Sequence, residues 1–115
     1  MASTRFVIRT YRRIPVRCEM YYMGEEFLGK GTVINLSRNG FRVLGDCHVV
    51  PGMELVVRLS LPDKEEDGPI EIQRVVVRWV RGLLFGVKVV KWRSESEDRI
   101  GAFLNAHANS YCTLH

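Results

Sequence analysis

The chain has 115 residues and a formal net charge of +4, and its hydrophobic and charged fractions, 46% and 26%, are those of a single globular domain. No apolar run approaches the roughly 20 residues that a membrane-spanning helix needs, and the first residues lack the apolar segment of a signal peptide. These features exclude membrane insertion by helices and favour a cytoplasmic protein.

Basic residues are concentrated at the N-terminus. Five arginines precede the first acidic residue, Glu19, whereas the rest of the chain has 12 basic residues (17 − 5) against 13 acidic ones. The five are Arg5, Arg9, Arg12, Arg13 and Arg17. This asymmetry favours a local anion site, or an arm on nucleic acid, over a generally basic surface.

Residues 15–22 and 27–36 are predicted to form a β-hairpin, because both segments are rich in strand-forming residues and 23–26 can turn the chain. Gly29 and Gly31 inside the second strand indicate a bulge, a bend or a close backbone contact. A hairpin centred on this turn pairs residues whose numbers add to about 49.

The next two strands are predicted at 40–44 and 53–61. In the second, apolar residues occupy every other position from Met53 to Leu61, which is typical of a strand with one buried face. The acid-rich segment 62–69 is expected to be a solvated loop at the end of a hairpin.

Strands at 70–80 and 83–90 complete the set. The apolar positions are even-numbered at Ile70 and Ile72 but odd-numbered at 75, 77 and 79. This change of parity predicts a β-bulge near Gln73 and Arg74.

The apolar period changes after residue 92. Ile100, Phe103, Leu104 and His107 recur at i, i+3, i+4 and i+7, which predicts a helix with one apolar face, and His107 is expected at its edge. Ser94 with Glu97 fits a capping box, and Ser96 is the alternative N-cap.

Six short strands followed by one helix predict a mainly all-β fold, a small six-stranded antiparallel β-barrel with a C-terminal α-helix. The predicted organisation is a flexible basic arm over 1–13, the barrel over 14–92, a helix packed on the barrel over 93–109 and a frayed tail over 110–115.

Two segments carry the functional signal. Residues 12–17 read RRIPVR and contain Arg13 and Arg17 in the spacing RxxxR, while residues 35–40 read NLSRNG, in the pattern NxSxxG. The predicted hairpin register puts Arg17 opposite Thr32 and Arg13 opposite Leu36. The two segments should therefore be neighbours in space.

The residue types in these segments suit an anionic ligand with phosphate groups, or a guanine base. Arginine presents a planar fork of donors that pairs with phosphate oxygens or with O6 and N7 of guanine. Pro15 restricts the backbone between the arginines and so reduces the entropy lost on binding. Asn35 and Ser37 can hydrogen-bond a ligand or their own backbone, and Gly40 can take a positive φ to close the turn.

Together the two motifs resemble those of the PilZ domain family, the bacterial receptor modules for cyclic di-GMP. In that family an RxxxR element, often preceded by another arginine, comes before the first barrel strand, and a [D/N]xSxxG element lies between later strands. The likeness covers about residues 10–92, including the late strands VVVRWV and LFGVKVV. The six-stranded barrel of the family agrees with the strand pattern derived above.

The resemblance implies a signal-transduction receptor and adaptor that binds cyclic di-GMP and orders its basic arm to change the surface it offers to an unidentified protein effector. The arginines would hold guanine edges and phosphates, and Asn35, in place of the more common aspartate, would contact the ligand with Ser37, while Gly40 would shape the loop. The implied ligand-binding residues are Arg12, Arg13, Arg17, Asn35, Ser37 and Gly40. Arg12 would add a third cation that favours a stacked pair of ligand molecules.

Other functions have less support in the sequence. The alternative is a PilZ-like protein-interaction module with weak or no nucleotide binding. Nucleic-acid binding lacks aromatic pairs interleaved with basic residues on the strands. No nucleophile elbow, P-loop or catalytic carboxylate pair suggests an enzyme.

No cofactor or metal site is expected either. Cys18, Cys47 and Cys112 are far apart, which argues against a disulfide framework, and Cys112 with His115 gives two ligands where structural zinc needs four. Trp79 is expected in the barrel core or at an interface, with an aromatic platform beside the ligand as the alternative.

Overall fold

The computed structural model describes residues 14–62 and 68–113, and of residues 107–113 only the backbone is described. Six strands and one helix follow one another along the chain. They are β1 (Ile14–Met23), β2 (Leu28–Leu36), β3 (Gly40–Gly45), β4 (Glu54–Leu59), β5 (Ile70–Arg81), β6 (Leu84–Lys91) and α1 (Ser94–Thr113).

The strands close into one antiparallel barrel in the order β1-β2-β3-β6-β5-β4. Strands β1 to β3 and strands β4 to β6 form two meanders, and the pairs β3–β6 and β1–β4 join them. Because every strand has a hydrogen-bonded neighbour on both sides, the sheet has no open edge. The predicted six-stranded antiparallel barrel with a C-terminal helix is confirmed.

One cluster of buried apolar side chains fills the barrel and continues beneath α1. In β4 the side chains of Leu55, Val57 and Leu59 are buried, whereas Glu54 and Arg58 are exposed. This is the predicted alternation, and it means that every second residue of a strand is available on the outer face.

A β-bulge in β5 changes the parity of its inward side chains, as predicted. Ile72 and Val75 are both buried although they are three residues apart, and the β5–β6 register shifts between Arg74 and Val75. The extra residue at the bulge lets β5 present an apolar face to the core along its whole length.

Tyr22 fills the end of the barrel near the β1–β2 turn. Its ring lies edge-on to Phe85, and its hydroxyl donates to the carbonyl of Cys47 at 2.7 Å and accepts from the amide of Cys47 at 2.8 Å. A side chain at Gly29 or Gly45 would collide with Tyr22, so of the three alternatives given for Gly29 the structure shows a close contact, made by the ring of Tyr22. Burial raises the pKa of the Tyr22 phenol above its ordinary 10.0, because the phenolate would lose its hydration.

Helix α1 packs on β1 and β5 through the buried side chains of Ile100, Phe103 and Leu104. The hydroxyl of Ser96 is buried and donates to the carbonyl of Glu71 at 2.7 Å. The start of the helix is therefore tied to the start of β5 by a hydrogen bond as well as by apolar contact.

The N-terminus of α1 differs from the prediction. The amide of Glu97 donates to the carbonyl of Arg93 at 2.9 Å, so Arg93 occupies the N-cap position, and the predicted capping box of Ser94 with Glu97 is wrong. Ser96 is not the cap either, because its hydroxyl is used to dock the helix. Arg93 itself reaches the carboxylate of Glu71 at 2.7 Å.

The helix continues past the predicted end at residue 109 and reaches Thr113. Among the helical residues that the structure describes, no stretch is long and apolar enough to cross a membrane.

Candidate functional site

The structure places the two motif segments side by side at one end of the barrel. Ile14 pairs with Leu36, and Pro15 pairs with Asn35, in the β1–β2 ladder. The RxxxR segment therefore enters the barrel next to the turn that carries NxSxxG, as the hairpin predicted. Arg12, Arg13 and the rest of the predicted arm over 1–13 lie outside the described residues.

The register of the hairpin differs from the prediction by one or two residues. Paired residue numbers add to 51 over most of the ladder, so Thr32 faces Glu19, and the predicted pairing of Arg17 with Thr32 is wrong. The cause is the position of the turn, because Met23 pairs with Leu28 and the hairpin is centred one residue later than predicted. An irregularity between Pro15 and Cys18 then lowers the sum to 50 beside the motifs.

Arg17 is exposed on the outer face of β1 and lines an open groove of about 460 Å³ on the β4 side of that strand. The other lining residues are Glu19, Ser60, Pro62, Gly68 and Pro69. The NxSxxG turn lies on the opposite side of β1, where β2 pairs with it. A ligand that contacts both Arg17 and this turn must therefore lie across β1.

A second irregularity turns Asn35 outward. Val33 and Leu36 are both buried although they are three residues apart, and the β2–β3 register shifts between Val33 and Asn35. The additional residue, Ile34, restores inward parity for Leu36 and leaves the Asn35 side chain on the outer face, half-buried.

Asn35 belongs to a row of paired residues that crosses the barrel wall. Pro15 pairs with Asn35, Asn35 with Arg42, Arg42 with Gly86, and Gly86 with Trp79. On both sides of Arg42 and of Gly86 the neighbouring residues along the strand are buried, so the row faces outward there. We call these five residues the outer row.

Arg42 and Trp79 form a cation–π pair at the far end of the outer row. The guanidinium carbon of Arg42 lies 5.6 Å from the centre of the Trp79 ring, and the indole covers Gly86, where any side chain would collide with it. The expectation of Trp79 in the core is wrong, because a register shift between Val77 and Trp79 turns the indole out of the barrel.

Arg42 was missed by the sequence reasoning, although a signal for it exists. A two-residue turn at 38–39 makes paired numbers in the β2–β3 hairpin add to 77, and this pairs Asn35 with Arg42. The buried residues Phe41 and Val43 on either side then place Arg42 on the outer face.

Ser37 holds the turn together from inside. Its side chain is only 1% exposed, its amide donates to the carbonyl of Gly40 at 2.9 Å, and its hydroxyl lies 2.9 Å from both that carbonyl and the Oδ1 of Asn39. A hydroxyl has one proton, so it donates to one of these acceptors at a time. In this arrangement the hydroxyl is used within the turn.

Gly40 is needed for close packing rather than for a positive φ. Its φ is not positive, so that prediction is wrong, and a Cβ at this position would collide with the carbonyl oxygen of Val87. Gly40 pairs with Lys88, and the carbonyl of Asn39 accepts from the amide of Val89 at 2.9 Å. The turn is thereby held against β6.

Three cations on the outer face surround these residues. Arg17, Arg42 and Lys88 are exposed, and within the described ranges none of them forms a salt bridge. Their charges are therefore available to an anion, and arginine pairs most strongly with phosphate in the bidentate geometry that its fork allows.

The described residues contain no group of three or more side chains of His, Cys, Asp and Glu that could hold a metal. Burial and the neighbouring carboxylate of Asp46 raise the pKa of the Cys47 thiol, which keeps it protonated and poorly nucleophilic at neutral pH.

Comparison with known proteins agrees with the fold. The family model described as the PilZ domain matches residues 8–106, which is most of the chain. No curated protein matches the sequence at a significant level.

The fold is similar to that of a solved bacterial protein, the Bacillus subtilis inhibitor of motility MotI/DgrA. The TM-score is 0.68 at 16% sequence identity, and the match covers 84% of this chain. The chain spans about half, 49%, of the length of that protein. At this identity the likeness establishes the fold alone.

Proposed function

Because the chain belongs to the PilZ domain family, we propose that it is a receptor for cyclic di-GMP and acts as an adaptor rather than as an enzyme. The family consists in general of receptors for this dinucleotide. The observation that carries the proposal is the pairing of Pro15 with Asn35, which sets the RxxxR segment against the NxSxxG turn.

The motif residues divide into two groups by their position. Arg13 and Arg17 bind guanine edges and phosphates through their planar donor forks, and Asn35 contacts the ligand from the outer face. Ser37 and Gly40 contribute by fixing the turn, because the hydroxyl of Ser37 is used inside it and Gly40 packs against the backbone of β6. The exposed side-chain NH2 group of Asn39 supplies the remaining contact from the loop.

The outer row extends the proposed contact surface beyond the motifs. The Trp79 ring already holds the guanidinium of Arg42 against one face, and a guanine base is a flat group of the kind that stacks on such a pair. A ligand with two bases can then place one base near the arginine segment and the other on this pair.

Titration calorimetry with cyclic di-GMP tests the proposal. Arg17→Ala is expected to weaken binding by about 1–3 kcal/mol, because it removes a charge-assisted donor fork. Arg81→Ala is the matched control, since Arg81 is an exposed arginine at the opposite end of the barrel and should leave the affinity unchanged. GTP and GMP serve as ligand controls.

The same titration decides the role of Arg12. Two ligands per chain in the wild type and one in Arg12→Ala would support a stacked ligand pair, whereas one ligand in both would exclude it. If the wild type gives no heat with micromolar cyclic di-GMP, the receptor proposal fails.

The second candidate function is a protein-interaction module, and it is favoured by the apolar residues on the outer face. Leu44 is 52% exposed and lies two residues beyond Arg42 on β3, so its side chain extends the same face. The chain would be such a module if it does not bind cyclic di-GMP and if the substitution Leu44→Ser abolishes its binding to a partner protein. A receptor can also use this surface for its effector.

A further inference from the structure

Arg38 connects the candidate ligand turn to the C-terminal helix. It lies at the tip of the β2–β3 turn, directly after Ser37, and its guanidinium packs against α1 at Gly101. A Cβ at Gly101 would lie 2.9 Å from Nη2 of Arg38. The helix therefore lacks a side chain at the point where the guanidinium rests.

The Arg38 side chain is incompletely satisfied in this position. Its Nε is buried and has no hydrogen-bond partner within the described ranges of the chain. Buried donors in proteins are nearly always paired, and a guanidinium pairs best with a phosphate or carboxylate. Arg38 thus carries an unused charged donor next to the turn where the proposed ligand has its phosphates.

The glycine at position 101 also requires an explanation. Glycine inside a helix is less favourable than alanine, since it loses more backbone freedom on folding. Gly101 is buried in the middle of α1, and the guanidinium of Arg38 occupies the space that a larger residue would fill.

The backbone around Arg38 is fixed, so its side chain is the part that can move. Hydrogen bonds from Ser37 to Gly40 and from Val89 to Asn39 hold the turn. Helix α1 is held at its start by the hydrogen bond that the hydroxyl of Ser96 donates to the carbonyl of Glu71. The contact of Arg38 lies more than one helical turn further along, where these bonds do not reach.

We propose that Arg38 couples occupancy of the ligand turn to the docking of α1. Arg38 packs on Gly101, and when a nucleotide phosphate binds beside Asn35 and Ser37, the guanidinium turns to pair with it. The helix then loses this contact, and the stretch that buries Phe103 and Leu104 loosens to offer an apolar surface to a partner. This inference rests on the proposed cyclic di-GMP site.

The coupling is reciprocal by thermodynamic linkage. If the phosphate competes with Gly101 for the guanidinium, then a change that removes Arg38 from the helix must strengthen ligand binding. Gly101→Ala makes this change, because the added methyl group takes the place of Nη2 while alanine favours the helix.

Hydrogen–deuterium exchange of the 101–106 segment tests the proposal in the full chain. Without ligand, Arg38→Gln is expected to raise exchange there roughly tenfold, because the shorter side chain leaves the space beside Gly101 unfilled. Saturating cyclic di-GMP is expected to raise exchange in the wild type and to have no further effect in Arg38→Gln. Arg81→Gln is the matched control and should behave as the wild type.

The outcomes separate this proposal from the receptor proposal. If the wild type and Arg38→Gln both bind the ligand and respond equally in 101–106, Arg38 is not the coupling residue. If cyclic di-GMP does not bind at all, the ligand-free comparison still decides, since unchanged exchange in Arg38→Gln overturns the coupling. An affinity of Gly101→Ala at or below that of the wild type also contradicts it.

Discussion

Gly40 lies where the backbone of β3 packs closely against the backbone of β6. Any side chain there would meet the carbonyl oxygen of Val87, which belongs to the backbone and cannot rotate away. The position of the ligand turn is therefore set by contact between two strands, with Ser37 closing the turn from within. Substitutions at these two residues should impair folding as well as binding.

Gly40→Ala is expected to lower the free energy of unfolding by about 1–3 kcal/mol, because the strands must separate to admit the methyl group. Urea unfolding measures this loss. Amide exchange should increase at Val89, whose N–H is bonded to Asn39 beside the substitution. Gly52→Ala is a control that strains a backbone with a φ of +90° near the other end of the barrel without crowding β6, so it should leave that amide protected; equal exposure of Val89 in both variants would contradict the explanation.

Tyr22→Phe is expected to lower the free energy of unfolding by about 1–3 kcal/mol at neutral pH, since it leaves the amide and carbonyl of Cys47 without their shared partner. Tyr21→Phe, on the exposed side of β1, is the control and should have little effect. Urea unfolding of both variants gives the comparison.

The raised pKa of Tyr22 adds a pH dependence with a definite sign. The folded chain holds the phenol proton more tightly than the unfolded chain, so the associated stability is complete below pH 10.0 and is lost as the pH rises through the folded pKa. The wild type should lose more stability than Tyr22→Phe between pH 9 and 11. Parallel losses in the two chains would show that Tyr22 does not titrate in this way.

At the scale of strands and helix, irregular positions decide which residues reach the outer face. The bulge at Ile34 exposes Asn35, and the register shift before Trp79 turns the indole outward. Without these two shifts, simple alternation would bury both side chains or separate them from Arg42. The outer row is therefore a product of the irregularities in the strands.

Much of this architecture follows from local pattern. Strand number, the alternation in β4 and the bulge near Arg74 are visible in the sequence because each depends on residues within a few positions. The bulge at Ile34 is hidden, since Val33, Ile34 and Leu36 are all apolar and fit either parity.

Of the candidate site, only the proximity of the RxxxR segment and the NxSxxG turn was predictable, because one hairpin joins them. The proximity of Pro15 and Asn35 follows from a turn nearby in sequence. The contact of Gly40 with Val87 and that of Arg38 with Gly101 join segments that are far apart in the chain. Hydrophobic periodicity carries no information about such contacts. Gly40 was therefore predicted to take a positive φ, whereas it packs against the backbone of β6.

Ser96→Ala is expected to weaken the docking of α1 by about 1 kcal/mol, because it removes a buried hydrogen bond to the carbonyl of Glu71. Amide exchange across the first turns of α1 should increase in proportion. Ser94→Ala is the control, since Ser94 is exposed and does not cap the helix. A larger effect from Ser94 than from Ser96 would restore the capping box.

For the whole molecule, the closed barrel limits where a partner can bind, and the exposed cations mark where an anionic ligand would bind. The strands that the structure describes leave no open edge, so a partner protein would have to contact side chains, the turns or the helix. The cations that surround the outer row lie at one region of this surface, and apolar Leu44 extends it along β3. Ligand and effector would thus meet the same wall of the barrel.

The joins between the two meanders are expected to limit how fast the barrel folds. These joins pair residues distant in sequence, such as Met20 with Leu59, and non-local contacts of this kind form slowly. The outer row crosses the β3–β6 join, with Arg42 on one side and Gly86 on the other. A dinucleotide bound along the outer row would contact both meanders and would have to be released before they separate. Stopped-flow measurements with ligand should therefore show slower unfolding and nearly unchanged refolding. If refolding accelerates while unfolding keeps its rate, the ligand binds within one half alone.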